Sequence, residues 1–359
     1  MKIENKPIRE SNFELLRIVS MFMIMILHIG THGIQRYIDT STLSSFNEIL
    51  YHFLRSLSII AVNIYVLISA YFLSQSTFKL KKLILLFVET SFFFTLIFAI
   101  TSIFGYPDFN MTSLKESLFA VIFGKYWFVT AYFVLFALSP YLNKLLNALN
   151  KREHFNFIII TTVICCAWQF YYANSSVGIG KGYGVPFFIY LYIVGAYIRK
   201  YQFILKDFNK NLYLISYLVL AIVNTMIVMS AANNGGDIGR WYNYNSPIVL
   251  IMSYALFQYF RKIQIKSAVI NTISKYVFGI YLLHEHTNMR SFLWIDSGVV
   301  EKIINLNNYM FIIYTLGYSI IVFVSCWLGS YIISKVFSFI MSNIDKVLLF
   351  IKGKMKMAV

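Results

Sequence analysis

Of 359 residues, 58% are hydrophobic and 18% aromatic but only 13% charged, about half the roughly 25% of an ordinary soluble domain, so the chain lacks the charge to cover a water-facing surface and reads as an integral membrane protein. Five Pro and 17 Gly exclude a collagenous or disordered chain, and no stretch long enough for a soluble enzyme domain lacks an apolar run. The net charge of +16, from 31 Lys and Arg against 15 Asp and Glu, lies between apolar runs, where it marks membrane topology rather than nucleic-acid binding.

A window of about 19 residues picks out ten runs: Phe13 to Ile29, Ser56 to Leu73, Leu83 to Phe104, Tyr126 to Leu146, Phe155 to Ala173, Val185 to Tyr201, Leu212 to Ala231, Pro247 to Phe260, Tyr276 to Phe292 and Tyr309 to Ile340. The eighth is shorter than the ~17-residue minimum for a tilted span and the tenth is long. Leu114 to Phe123 reads as a re-entrant or interfacial helix. The expected fold is therefore all-α, a polytopic bundle of about ten transmembrane helices. It forms one integral-membrane domain over residues 1–359, with short tails at 1–11 and about 342–359. Lys2, Lys6 and Arg9 precede the first run as they would in a signal peptide, but that run contains Glu14, Arg17 and His28 and lacks a small-residue cleavage site, so it reads as retained.

Lys and Arg counts in alternate connections test this topology independently of hydropathy. With the N-terminus cytoplasmic, inside segments hold 22 of them and outside loops 8, and every inside segment exceeds every outside loop. Both termini are thus expected in the cytoplasm. Cys165, Cys166 and Cys326 all fall inside apolar runs without CxxC spacing, as small apolar fillers do. Neither a disulfide framework nor a metal site is expected.

Ionisable groups at hydrocarbon depth cost at least ~2.5 kcal/mol each on insertion scales, which makes them functional candidates. Arg17 and His28 are 11 residues apart, about 20° from three full turns, so they share a helix face, with His28 about 16 Å above Arg17. Glu14 can pair with Arg17 at i,i+3 spacing. The three are either an anchoring pair plus a bundle histidine or a polar stripe leading inward from the cytoplasm. His284 and Glu285 lie about 12 Å into the ninth run, near the midplane. A carboxylate there needs a partner such as His28 or Arg17, unless the helix ends early at an aqueous cavity. Glu89 is only seven residues beyond Lys82 and can reach the cytoplasmic interface. His286 completes the set.

Together these residues resemble the membrane-bound acyltransferase 3 family, the bacterial O-acyltransferases of surface polysaccharides. The resemblance rests on Glu14-Leu-Leu-Arg17 followed by ten residues and His28, and on the run ending in Ser69-Ala70-Tyr71 with Lys79 and Lys82 beyond it. It also rests on Trp127-Phe128, Tyr132 and Ser139-Pro140-Tyr141-Leu142-Asn143, and on Phe278-Gly279-Ile280-Tyr281-Leu282-Leu283-His284-Glu285. The chain departs from the family pattern in having Ala70 for a glycine and lysine for arginine at the basic pair.

What the resemblance implies is a multi-pass enzyme of the bacterial cytoplasmic membrane, an O-acyltransferase. It would move an acyl group, acetyl above all, from cytoplasmic acyl-CoA to a hydroxyl of a cell-surface or lipid-linked polysaccharide. Arg17, Lys79 and Lys82 would receive the donor phosphates, with Ser69 and Tyr71 beside the pantetheine arm. His28 would act as general base, Glu285 would orient it, and Glu14 would hold Arg17. Trp127, Tyr132, Tyr281 and His284 would line the remaining pocket. Direct transfer and an acyl-histidine both remain open, whereas Ser69 has no adjacent base. The expected partners are membrane lipid, acyl-CoA as donor substrate and a glycan acceptor, without nucleic acid. No hydrolase-like domain follows the tenth run, so transfer is expected to finish within the membrane domain or on a separate partner. The segment Asn233 to Asn245, rich in aromatic and amide side chains, reads either as a sugar contact or as an interfacial aromatic belt. Two other classes compete. A transporter or flippase of surface-polysaccharide precursors would call for inverted repeats, of which no convincing one is found. A polymerase would call for a long outside loop, and the longest here, Gly30 to Arg55, is short for that.

Overall fold

The computed structural model describes residues 9–39, 44–105, 110–172, 178–204 and 206–357, and the amino-terminal tail to residue 8 lies outside them. Among the described residues the chain is 82% helical with no strand, the outcome required of a backbone that must satisfy its own hydrogen bonds in lipid. The helices are α1 (Ser11–His28), α2 (Ser45–Ser58), α3 (Ala61–Leu73), α4 (Leu80–Ile103), α5 (Met111–Leu118), α6 (Trp127–Ala148), α7 (Lys151–Thr162), α8 (Val185–Tyr201), α9 (Lys210–Asn233), α10 (Pro247–Lys262), α11 (Val277–His284), α12 (Thr287–Ser291), α13 (Val299–Ile304) and α14 (Asn308–Met357). Polar side chains set the starts: Ser44, Asn110 and Asn209 cap α2, α5 and α9, and Asn150 with Glu153 closes a capping box on α7. Proline opens α8 and α10, where its missing N–H costs nothing.

Seven stretches are long and apolar enough to cross a membrane: Ser11–Ile38, Ser45–Leu73, Leu80–Ile103, Trp127–Ala148, Lys151–Tyr171, Lys210–Asn233 and Asn308–Ile344. Three of the ten expected runs fall short of that length. α8 and α10 have 17 and 16 residues, and both are largely buried among other helices. The ninth run differs more. Its helix stops at His284, Glu285 is the C-cap, and extended His286 starts α12 by accepting the Asn288 N–H at 3.2 Å. This is a broken helix, the early end at Glu285 that the sequence left as the alternative to a continuous span, and the break falls at the ionisable residues.

Other boundaries move for readable reasons. The connection expected from Gly30 to Arg55 is mostly helical, because α1 runs on through a π-helical segment, Ile29–Ile34, and because α2 precedes the second apolar run. α2 carries Glu48, His52 and Arg55, which kept it below an apolar window. The amphipathic segment near Leu114 is a helix only over Met111–Leu118 and continues as turns. The tail expected from about 342 continues α14 to Met357.

α1 stands between two apolar clusters. Phe13, Leu16 and Leu27 join the one built on α3, α8 and α10, whereas Met21, Ile24 and Met25 join the one built on α4, α11 and α14. α3 and α8 approach closely, and a Cβ on Gly195 would lie 2.6 Å from the Ala70 Cβ. Gly195 thus makes room for the methyl that replaces the family's glycine at position 70.

Candidate active site

At the far end of α1 five ionisable side chains converge. The Nδ1 atom of His28 lies 3.0 Å from Nε2 of His284 and 3.1 Å from Oε2 of Glu285. Nε2 of His32, one turn further on, is 3.7 Å from the same carboxylate oxygen. Nη1 of Arg290 donates to Oε1 of Glu285 at 3.2 Å. The early end of α11 makes this meeting possible, since Glu285 sits at the helix end, within reach of His28, His32 and the Arg290 guanidinium.

The hydrogen bonds define the tautomers. Nδ1 of His284 is 2.6 Å from the Ile280 carbonyl, which can only accept, so this nitrogen carries the proton. In neutral His284, Nε2 is then an acceptor, and His28 Nδ1 must donate to it. Neutral His28 is left with its lone pair on Nε2. Its side chain is 16% exposed, so that nitrogen belongs to a group a substrate can reach. The Glu285 carboxylate stands where it would stabilise a positive charge on the ring after proton uptake.

At the near end of α1, Arg17 donates to Oε1 of Glu14 at 2.6 Å, and Arg9 lies 3.7 Å from Oε2 of the same carboxylate. The Tyr65 hydroxyl donates to the Arg17 carbonyl at 2.8 Å. Arg199, in the last turn of α8, stacks its guanidinium 4.6 Å from the centre of the Tyr71 ring. Between the two ends lies a cavity of about 230 Å³, lined by Met21, Ile24, Ser69, Tyr132, Tyr281 and Leu86 among others. Met21 and Ile24 follow Arg17 by four and seven residues and precede His28 by seven and four, so the cavity runs along the same face of α1 that carries both polar ends. Leu86 is four residues beyond Lys82, which puts that lysine on the cavity side of α4. The other sequence-derived candidates take distinct places. Lys79 and Lys82 are exposed at the start of α4, Glu89 is half-buried, and Tyr132 hydrogen-bonds Ser69 within the cavity wall. Trp127 packs on Tyr183 and Tyr244 at 4.8 and 5.9 Å, tying α6 to the loops before α8 and α10. Asn143 donates to the Leu73 carbonyl at 2.9 Å and accepts from the Tyr192 hydroxyl at 2.6 Å, which fixes the end of α3. Tyr281 is buried, its hydroxyl beside the Phe128 backbone at the start of α6.

The sequence reading missed His32, Arg290 and Arg199. His32 carried a signal, its i,i+4 spacing from His28, but it lay beyond the expected helix end. Arg290 lay within the ninth run and was counted only as an outside charge. The ligand atoms of His28, His284 and Glu285 all fall within 4.8 Å of one another, a spacing a metal ion could also use. The 3.0 Å between the two histidine nitrogens is nevertheless a hydrogen-bond distance, shorter than the roughly 3.4 Å that two ~2.1 Å zinc bonds at a tetrahedral angle would leave.

Residues 10–331 match a family model described as an acyltransferase domain, a stretch that contains both ends of the site. No curated protein and no solved structure matches the chain.

Proposed function

We propose, from the premise that this chain belongs to the acyltransferase 3 family, that it transfers an acyl group, acetyl above all, from acyl-CoA to a hydroxyl of a surface or lipid-linked glycan. The observation that carries this reading is the cavity on one face of α1, with cations at one end and His28 at the other. In this reading the donor enters from the cytoplasm. Its phosphates meet Arg17, Lys79 and Lys82, joined by Arg199, and the pantetheine arm lies along Met21 and Ile24. The reaction needs one proton shuttle. His28 Nε2 takes the proton of the acceptor hydroxyl as its oxygen attacks the thioester carbon, the C–S bond breaks, and the thiolate leaves with that proton as free CoA. Glu285 positions the ring and steadies its charged form.

The enzyme would reside in a bacterial cytoplasmic membrane as one domain of about ten spans, its termini inside. The break between α11 and α12 is also a feature of transporters, and it keeps a flippase as the second reading. Purified protein in liposomes, supplied with radiolabelled acetyl-CoA and a delipidated surface glycan fraction, separates the two. Labelled glycan and released CoA thiol are expected. Glycan movement across the bilayer without thioester cleavage would overturn acyl transfer.

A further inference from the structure

On the other side of α1 from the cavity, the structure holds a second polar centre that the acyl-transfer reading does not use. Nη1 of Arg55 donates to Oε1 of Gln35 at 3.0 Å and to the Tyr51 hydroxyl at 2.9 Å, and its guanidinium lies 4.0 Å from the centre of the Tyr242 ring. Its Nε is buried without a partner, and among the described residues no carboxylate lies within ion-pair distance of it. Burial raises the Tyr242 phenol above its ordinary range, so that neighbour stays neutral and the arginine charge is uncompensated. Tyr51 lies against Gly30, where a Cβ would be 3.0 Å from its ring. That contact brings Arg55 to the depth of His28, since His28 is 17 residues from the start of α1 and Arg55 is 18 from the end of α3, about 25 Å in each case.

Below this centre runs an apolar crevice. A narrow cleft lined by Gly30, Tyr51, Arg55 and Thr315, whose Oγ1 is also unpartnered, shares Ile26 and Leu54 with a cavity of about 370 Å³ bounded by Ile18, Phe22, Leu57 and Tyr217. That volume is about twelve times the ~30 Å³ of one water in the liquid, room for a hydrocarbon chain. Its walls offer a water no polar partners beyond Ser58 and the Tyr217 hydroxyl, which already donates to the Leu57 carbonyl at 2.8 Å. We infer that Arg55 and this crevice bind a lipid whose head is a phosphate, with the phosphate on the guanidinium and one chain lying against α1 toward the middle of the membrane. A half-buried guanidinium with no carboxylate beside it among the described residues suits a phosphate through paired N–H donors, and a free anion would leave the crevice below it without an occupant. If such a lipid carried the acceptor hydroxyl, its head would stand at the depth of His28. That step rests on the acyl-transfer reading, but the binding itself does not.

The test therefore reads binding, not turnover. Native mass spectrometry of the delipidated full chain is run with dioleoyl phosphatidic acid, with dioleoylglycerol, and with the phosphatidic acid in excess inorganic phosphate. Retention of the phosphatidic acid alone is expected, undiminished by inorganic phosphate. Arg55→Gln should weaken it about tenfold or more, Arg55→Lys should keep much of it, and Leu57→Trp should lower it by filling the crevice with the charge intact. Equal retention of dioleoylglycerol, displacement by inorganic phosphate, or Arg55→Gln binding as the unaltered protein does would each overturn the inference.

Discussion

The proton on His284 Nδ1 is held by the Ile280 carbonyl, and everything the site can do with His28 follows from that one bond. It forces His28 to donate through Nδ1 and leaves Nε2 as the basic nitrogen. His28→Ala should therefore insert normally yet lose roughly 10²-fold or more in transfer rate, the lower range for lost acid–base catalysis. The native rate should fall as pH drops, because protonating His28 removes the lone pair. Glu285→Gln keeps shape but removes the charge that stabilises the imidazolium. It should lower kcat while leaving the KM for acetyl-CoA unchanged, and a raised donor KM would show that Glu285 belongs to donor binding instead. Tyr281 supplies a second expectation. A buried phenol on the cavity wall whose oxygen lies beside the Phe128 backbone while its O–H has no acceptor is suited to donate to the oxygen of the thioester carbonyl as negative charge develops there. Tyr281→Phe should then cut kcat by about 10² with little change in KM. A variant turning over at the native rate would leave the hydroxyl without a catalytic part. These four side chains were legible in the sequence because a titratable or aromatic group inside an apolar run stands out. Arg290 was not, because nothing in its local pattern says that the chain doubles back onto Glu285.

The expected runs and the observed helices agree best where a helix is uniformly apolar: α4, α6 and α9 fall within a few residues of their runs. They part where amphipathicity or a break intervenes. α2 was missed because its polar face, His52 and Arg55 among it, lowers the window average, although that face is buried against Tyr242 and Gln35. The end of α11 is ambiguous in the sequence for a different reason, since a His-Glu-His sequence signals either a midplane charge cluster or a cap, and tertiary partners decide. Helix pairing is less visible still. α3 and α8 touch at Ala70 and Gly195, and small residues at such contacts let backbones approach closely. Gly195→Leu would drive a side chain into Ala70 and the Leu67 carbonyl, 2.6 and 3.1 Å from the first added carbon. Overpacking of this kind costs typically 1–3 kcal/mol. The variant should unfold several degrees lower in detergent, and Gly195→Leu combined with Ala70→Gly should recover part of the loss. A variant melting with the native protein would mean that the helices separate without cost at this seam.

At the scale of the whole molecule, the site makes sense only if its two ends face different compartments. In the proposed reading the donor end holds Arg9, Arg17 and Arg199, at the start of α1 and the end of α8. In the same reading the acceptor end holds His28, His32 and Arg290, and the cavity between the two ends is walled mainly by apolar and aromatic side chains. Structure alone gives the axis and not its direction. Direction is an expectation from the distribution of Lys and Arg, 22 in segments on the side of the termini against 8 on the other, which would put the Arg17 end in the cytoplasm, where CoA thioesters are made. Reporter fusions after residue 40 and after residue 300 should thus read outside, and fusions after Lys79 and after Lys210 should read inside. An inside reading at residue 300 would reverse the axis. His28 would then face the cytoplasm, Arg17, Lys79 and Lys82 could not meet cytoplasmic acyl-CoA, and the donor would have to arrive from the other side, where the arginines would need an anionic partner other than CoA.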